Sequence, residues 1–181
     1  SICGNKMFFT SSRDGNSELW IVEVDSGGKT LLSSGDAVQP AWSRQGDRIA
    51  YWANTQGQRD LWTVAAAGGE PVVVTRDAAT DWSPEWSPDG RWLHFASDRG
   101  GSYNLWRVEI DPATGGAAGL PQPVTTGVRG MGYPRFASDG SRLSAMAYER
   151  NYEQTIYAVD TTPAIAGVAG IRLRPLRTLR N

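Results

Sequence analysis

The chain is poor in the residues on which most site chemistry depends. Its 181 residues include one cysteine, Cys3, and one histidine, His94. A lone cysteine excludes an intrachain disulfide framework and a multi-cysteine metal site, and a lone histidine excludes the paired-histidine motifs that hold zinc. Neither sign of charge dominates: 18 Lys and Arg stand against 19 Asp and Glu, for a net charge of -1. Without a cationic excess there is little counterion release to drive nucleic-acid binding, so nucleic acid is not an expected partner. No stretch approaches the roughly 20 apolar residues of a membrane span. The segment Ser1-Ile2-Cys3-Gly4-Asn5-Lys6 has no signal-peptide pattern, and a soluble chain without membrane insertion is expected. Nucleotide-cradling glycine motifs are absent, as is the Gly-x-Ser-x-Gly elbow of serine hydrolases; the pair Gly115 and Gly119 brackets Ala117 instead. No cofactor and no bound metal are expected.

Tryptophan and glycine are plentiful, with 8 and 21 copies, and both recur at fixed intervals. The tetrads Pro40-Ala41-Trp42-Ser43, Pro84-Glu85-Trp86-Ser87 and Pro134-Arg135-Phe136-Ala137 place an aromatic residue at spacings of 44 and 50. Each is followed by a turn glycine, Gly46, Gly90 or Gly140, and Gly4 lies one period earlier. From those glycines to the aromatic residue of a later strand the distance is 16 residues for Gly4 to Trp20, Gly46 to Trp62 and Gly90 to Trp106, and 17 for Gly140 to Tyr157. Repeats of about 40 to 50 residues made of several short strands are the signature of propeller blades.

The expected fold is therefore all-β: a single-domain β-propeller over 1–181, of four-stranded antiparallel blades, about four repeats with the first lacking its inner strand. Blade boundaries are expected at 1–36 (partial), 37–80, 81–130 and 131–181. Within a unit the first strand carries Pro-x-Trp-Ser, and Asp-Gly turns such as Asp89-Gly90 lead into a second strand. The third strand reads Leu-Trp-x-Val, and the weak fourth begins with proline at Pro71, Pro123 and Pro175, as an edge strand tolerates. Insertions at 111–121 and 161–170 are rich in small residues and read as surface loops with little structure.

Residues 84–108 carry Pro84-Glu85-Trp86-Ser87-Pro88-Asp89-Gly90, then Ser97-Asp98-Arg99-Gly100-Gly101, then Leu105-Trp106-Arg107-Val108. This pattern resembles the TolB-like propeller repeat, found in the periplasmic component of the Tol biopolymer transport system and in propellers appended to bacterial kinases and regulators. The resemblance covers about residues 1–160. It implies a binding platform in a propeller usually of six to eight blades, in a periplasmic setting, with the cytoplasm also represented. It implies no catalysis here, because the lyases of this family hold their metal with several histidines and this chain has His94 alone.

Four repeats fall short of six to eight. Either the chain is part of a larger propeller, or two copies complete a ring as a homo-oligomer, or four blades close alone.

The aromatic set Trp20, Trp62, Trp106 and Tyr157, and the set Trp42, Trp86 and Phe136, each hold one repeated position, as packing between blades requires. His94 aligns with Phe8, Ala50 and Ser144 and reads as a packing residue. In contrast Ala41, Glu85 and Arg135 share a position but no chemistry. Innermost strands and the loops leading into them line a propeller's central opening, so Gln39, Asp81, Trp82, Glu85, Arg129, Tyr133 and Arg135 are the candidate contacts for a protein or peptide ligand there. Arg172, Arg174, Arg177 and Arg180 form a second candidate, for an acidic partner, against plain solvation of an outer strand. The expected function is a non-catalytic protein- or peptide-binding scaffold or sensor module. The alternative is the propeller portion of a hydrolase or lyase whose catalytic part lies elsewhere.

Overall fold

The computed structural model describes residues 2–13, 15, 17–127, 130–148, 154–160 and 173–179. Arg129, the insertion 161–170, Arg172 and Arg180 lie outside them, and so do the side chains of Arg174 and Arg177.

Among the described residues, sixteen strands form four antiparallel sheets of four, each in sequence order. The first blade holds β1 (Ile2–Cys3), β2 (Lys6–Ser11), β3 (Glu18–Glu23) and β4 (Lys29–Ser33). The second holds β5 (Ala37–Trp42), β6 (Arg48–Thr55), β7 (Gln58–Ala65) and β8 (Val72–Val73). The third holds β9 (Asp81–Trp86), β10 (Trp92–Ser97), β11 (Asn104–Glu109) and β12 (Gln122–Pro123). The fourth holds β13 (Met131–Phe136), β14 (Arg142–Tyr148), β15 (Gln154–Asp160) and β16 (Leu173–Leu179). The first blade keeps only a two-residue stub of its inner strand, β1, paired with Lys6 and Met7.

Alternation along the strands sends successive side chains to opposite faces, and in the second and third blades each face meets a neighbouring blade. Ile49 and Tyr51 of β6 join Phe8, Leu19, Ile21 and Leu32 of the first blade, whereas Ala50 between them packs toward Leu93 and Phe95 of the third. Leu105 and Val124 meet Met131, Leu143 and Ala145 in the same way. The core is thus three apolar layers between successive blades rather than one central mass. The repeated aromatic residues close these layers: Trp42 lies 5.7 Å from Phe8, and Phe136 meets His94 edge-on at 5.0 Å. The Trp86 indole N–H donates to the carbonyl of Ala41 at 3.2 Å.

The period itself has a steric basis. Gly46, Gly90 and Gly140 turn the chain between the first and second strands at φ of 72, 73 and 74°. A Cβ on these glycines would also strike the preceding blade, at Cys3, Gln45 and Pro88. Each turn therefore rests on the preceding blade; all three positions need glycine for the backbone, and Gly140, against the rigid Pro88 ring, needs it for space as well.

The insertion 111–121 differs from its expectation as a loose loop. Asp111 accepts from the Ala113 amide and the Thr114 hydroxyl, and burial is negligible there, so these hydrogen bonds hold its carboxyl below the usual range. The Gly115 carbonyl accepts from the buried Thr63 hydroxyl of β7 at 2.7 Å. Gly115 is left-handed at φ 80°, and a Cβ there would have to displace the Arg48 guanidinium that lies against it. Its small residues let the loop slot against the second blade, which is why they are small.

Candidate binding face

The inner strands β5, β9 and β13 break their ladders at one repeated place. Register shifts between Val38 and Ala41, between Trp82 and Glu85 (opposite Ala96 and His94), and between Gly132 and Arg135. At each break a non-glycine residue is left-handed: Gln39 at φ 50°, Ser83 at 55° and Tyr133 at 53°. Each precedes a proline, Pro40, Pro84 or Pro134, whose missing N–H removes a ladder bond and accommodates a bulge. Such bulges re-aim side chains, and here they do so three times at the same end of the inner strands.

Around them the chemistry differs from blade to blade. In the second blade the Gln39 side-chain oxygen accepts from the Trp52 indole N–H at 2.8 Å, and the Arg59 guanidinium lies 4.8 Å over the Trp52 ring. In the third, Trp82 stands edge-on to Tyr103 at 6.0 Å and to Tyr133 of the fourth blade at 4.9 Å. Trp82 lies flush on Gly132, where a Cβ would come within 2.5 Å of its ring. Tyr133 is 38% exposed.

Two expected contact residues are otherwise engaged. Asp81 is fully buried and held by Arg99 at 2.6 Å, so it supports the start of β9 and presents nothing to a partner. Its burial pushes the carboxyl above the usual range, against the pull of Ser97 and Arg99. Glu85 bonds Arg135 at 3.1 Å and the Phe136 amide at 3.2 Å, which ties the third inner strand to the fourth. Burial raises the Glu85 carboxyl too, opposed by the Arg135 charge. Asp81 and Glu85 thus each have their own arginine, and no shared-proton pair for acid–base work arises.

His94 takes in the third blade the seat that Phe8 holds in the first. It is buried with Nδ1 unpartnered, and burial pushes its pKa down to about 3, so the ring is neutral. Among the described residues no group of three His, Cys, Asp or Glu side chains is placed to hold a metal ion.

Trp82 and Tyr133 therefore meet at the bulges of the third and fourth inner strands, Gln39 lies with Trp52 at the bulge of the second, Glu85 and Arg135 pair with each other, and Asp81 is interior. The sequence reading missed Trp52, Arg59 and Tyr103 as members of this face. Arg59 and Tyr103 occupy the same position, 13 residues after Gly46 and Gly90, and their mismatch was the signal that could have found them.

Among curated proteins the chain is 37% identical over 97 residues to a TolB homologue of Chlorobium chlorochromatii, covering 53% of this chain and 22% of that one. It is 23% identical over 136 residues to an uncharacterized protein of Agrobacterium fabrum, covering 75% of this chain and 44% of that one. The chain thus spans less than half the length of the curated relatives it matches. Among solved structures, a TolB-like protein of Agrobacterium tumefaciens superposes with a TM-score of 0.83 at 19% identity, over 97% of this chain and 62% of that one. The fold is shared as well with a puromycin-hydrolyzing peptidase of Mycobacterium tuberculosis, TM-score 0.69 at 12% identity, over 98% of this chain and 31% of that one. The TolB beta propeller domain family matches residues 1–163, and the chain belongs to that family.

Proposed function

We propose that the chain is a non-catalytic propeller module that binds a protein or peptide, acting in the periplasm, with its partner received at the bulged ends of the inner strands. The observation that carries this is the contrast between uniform packing positions and the unlike occupants of one repeated bulge, Gln39 in the second blade and Tyr133 in the fourth, with Trp82 packed against Tyr133 from the third, where the equivalent Ser83 is buried. Partly exposed aromatic groups with a polar edge, such as Tyr133 and Trp52, the latter with Arg59 over its ring, are what protein recognition concentrates at its centre. The periplasm and a protein partner are supported by relatives named as Tol-Pal system proteins, including one of Desulfosudis oleivorans. Pal is accordingly the first partner to test. Joint substitution of Gln39→Ala and Tyr133→Ser is expected to weaken capture of Pal about tenfold or more without changing the melting temperature. Unchanged capture overturns the site. Joining of two copies into one ring belongs to the same proposal, and light scattering across a dilution series tests it through the solution mass.

The second reading, a propeller attached to a hydrolase, is favoured by the fold shared with the peptidase. An esterase and peptidase screen on the full polypeptide that carries this propeller decides: turnover there would replace the binding reading, and no turnover would remove the second reading.

A further inference from the structure

Because the blades repeat, a seat that is filled in one and open in the next is informative. Nine residues after Gly90 stands Arg99, whose guanidinium lies 5.4 Å over the Phe95 ring and 5.5 Å over the Trp106 ring. It bonds Asp77 at 3.0 Å and Asp81 at 2.6 Å, and its side chain is 13% exposed. The cleft between the second and third blades is therefore plugged by an arginine held in an aromatic corner.

In the second blade the aromatic corner is kept and the plug is gone. Tyr51 and Trp62 stand where Phe95 and Trp106 do, but Thr55 replaces Arg99, Ala37 replaces Asp81 and Gly35 replaces Asp77. The result is a cavity of about 480 Å³ between the first and second blades, running from Ser33 and Thr55 past Tyr51 and Trp62 to Glu70. Glu70, exposed at its rim, is the one charged residue among those lining it.

We propose that this cleft is a docking site for an arginine side chain of a partner peptide, seated on the half-buried Trp62 as Arg99 is seated on Trp106, with the buried Tyr51 behind it. A planar guanidinium is weakly hydrated and stacks on aromatic faces, which a compact ammonium does less well. Glu70 supplies the complementary charge at the mouth and the Ser34 hydroxyl an acceptor along the wall, whereas the buried Ser33 hydroxyl already accepts from the Tyr51 hydroxyl at 3.2 Å and the Gly35 amide at 3.3 Å. The loss of both inner carboxylates makes the seat exchangeable, where the one around Arg99 is permanent. The site is lined by second, third and fourth strands and not by the bulged inner ones, so it goes beyond the function proposed above and stands apart from it.

The probe is the peptide acetyl-Gly-Arg-Gly-amide, titrated into the whole chain while the indole N–H resonance of Trp62 is followed by NMR, with the citrulline peptide as uncharged isostere. A saturable shift is expected, at least about fivefold weaker for citrulline. Replacing Thr55→Arg together with Ala37→Asp rebuilds the plug and is expected to abolish the shift while raising the melting temperature. Glu70→Gln, at an exposed position, is expected to weaken the arginine peptide about threefold with the fold unchanged. No saturable shift, equal binding of the citrulline peptide, or full binding in the plugged variant overturns the proposal. Should the plugged variant not fold, undiminished binding by Glu70→Gln overturns it alone. The substitutions at Gln39 and Tyr133 leave this readout unmoved, so failure here and failure of the partner face are distinguishable.

Discussion

The second and third blades use the same strands and the same layer of apolar contacts, yet they solve the gap to the preceding blade differently. The third closes it with Arg99 between two rings and two carboxylates; the second leaves Thr55 at the edge of a cavity. At the inner end the third blade displays Trp82 against Tyr133, where the second displays Gln39 against Trp52. The fold thus tolerates wide variation at clefts and bulges because its stability resides in the three layers built on Leu19, Leu93 and Leu105, all without exposed surface. That separation of packing from display is what allows one architecture to serve as a recognition platform.

The largest break in the comparison comes at the plug. Arg99→Ala strands the buried Asp81 carboxylate and is expected to cost about 3–5 kcal/mol in denaturant unfolding. Thr55→Ala, at the equivalent exposed position, is expected to stay within about 0.5 kcal/mol. Equal costs would mean that the two clefts do not differ as described.

His94 and Phe8 give the next test, since one seat holds a titrating ring and the other does not. The folded pKa of His94, about 3, lies below its ordinary value of 6.5. The fold accepts only the neutral ring, so its stability is complete above pH 6.5 and falls by about 1.4 kcal/mol per unit as the pH drops toward about 3. His94→Phe, which copies the first blade, is expected to flatten that part of the pH-stability profile. An unchanged acid limb in the variant would show that His94 is not its source.

A smaller effect belongs to the insertion. Thr63→Val removes the hydroxyl that donates to Gly115 and is expected to cost about 1 kcal/mol. Amide exchange over residues 111–118 should quicken while that of β10 stays slow. Smallest of all, Glu85→Gln loosens a pair whose arginine is 57% exposed and should cost less than about 1 kcal/mol by unfolding.

The blades were legible in the sequence because the constraint is local and repeats: a turn glycine resting on the preceding blade at Gly46, Gly90 and Gly140, and an aromatic residue 16 or 17 positions after the turn glycine in all four units. The bulged face was harder to read. A residue before proline is ordinarily pushed to an extended conformation, so Gln39, Ser83 and Tyr133 argued against the left-handed geometry they adopt. Glu85 and Arg135 looked unlike because each was compared with its repeat equivalents, whereas the structure pairs them across blades. Asp81 was placed at the opening by its position in the strand, but its burial follows from Arg99, whose reach across the cleft no spacing encodes. The docking of Gly115 on Thr63, 52 residues apart, is likewise a tertiary fact.

The most direct test of display separated from packing is the affinity of Pal for the wild type and for the Gln39→Ala, Tyr133→Ser variant, measured beside their melting temperatures. Affinity lowered about tenfold at an unchanged melting temperature is the predicted result. Equal affinity in the two proteins, or a loss of affinity that only tracks a loss of fold, would contradict it.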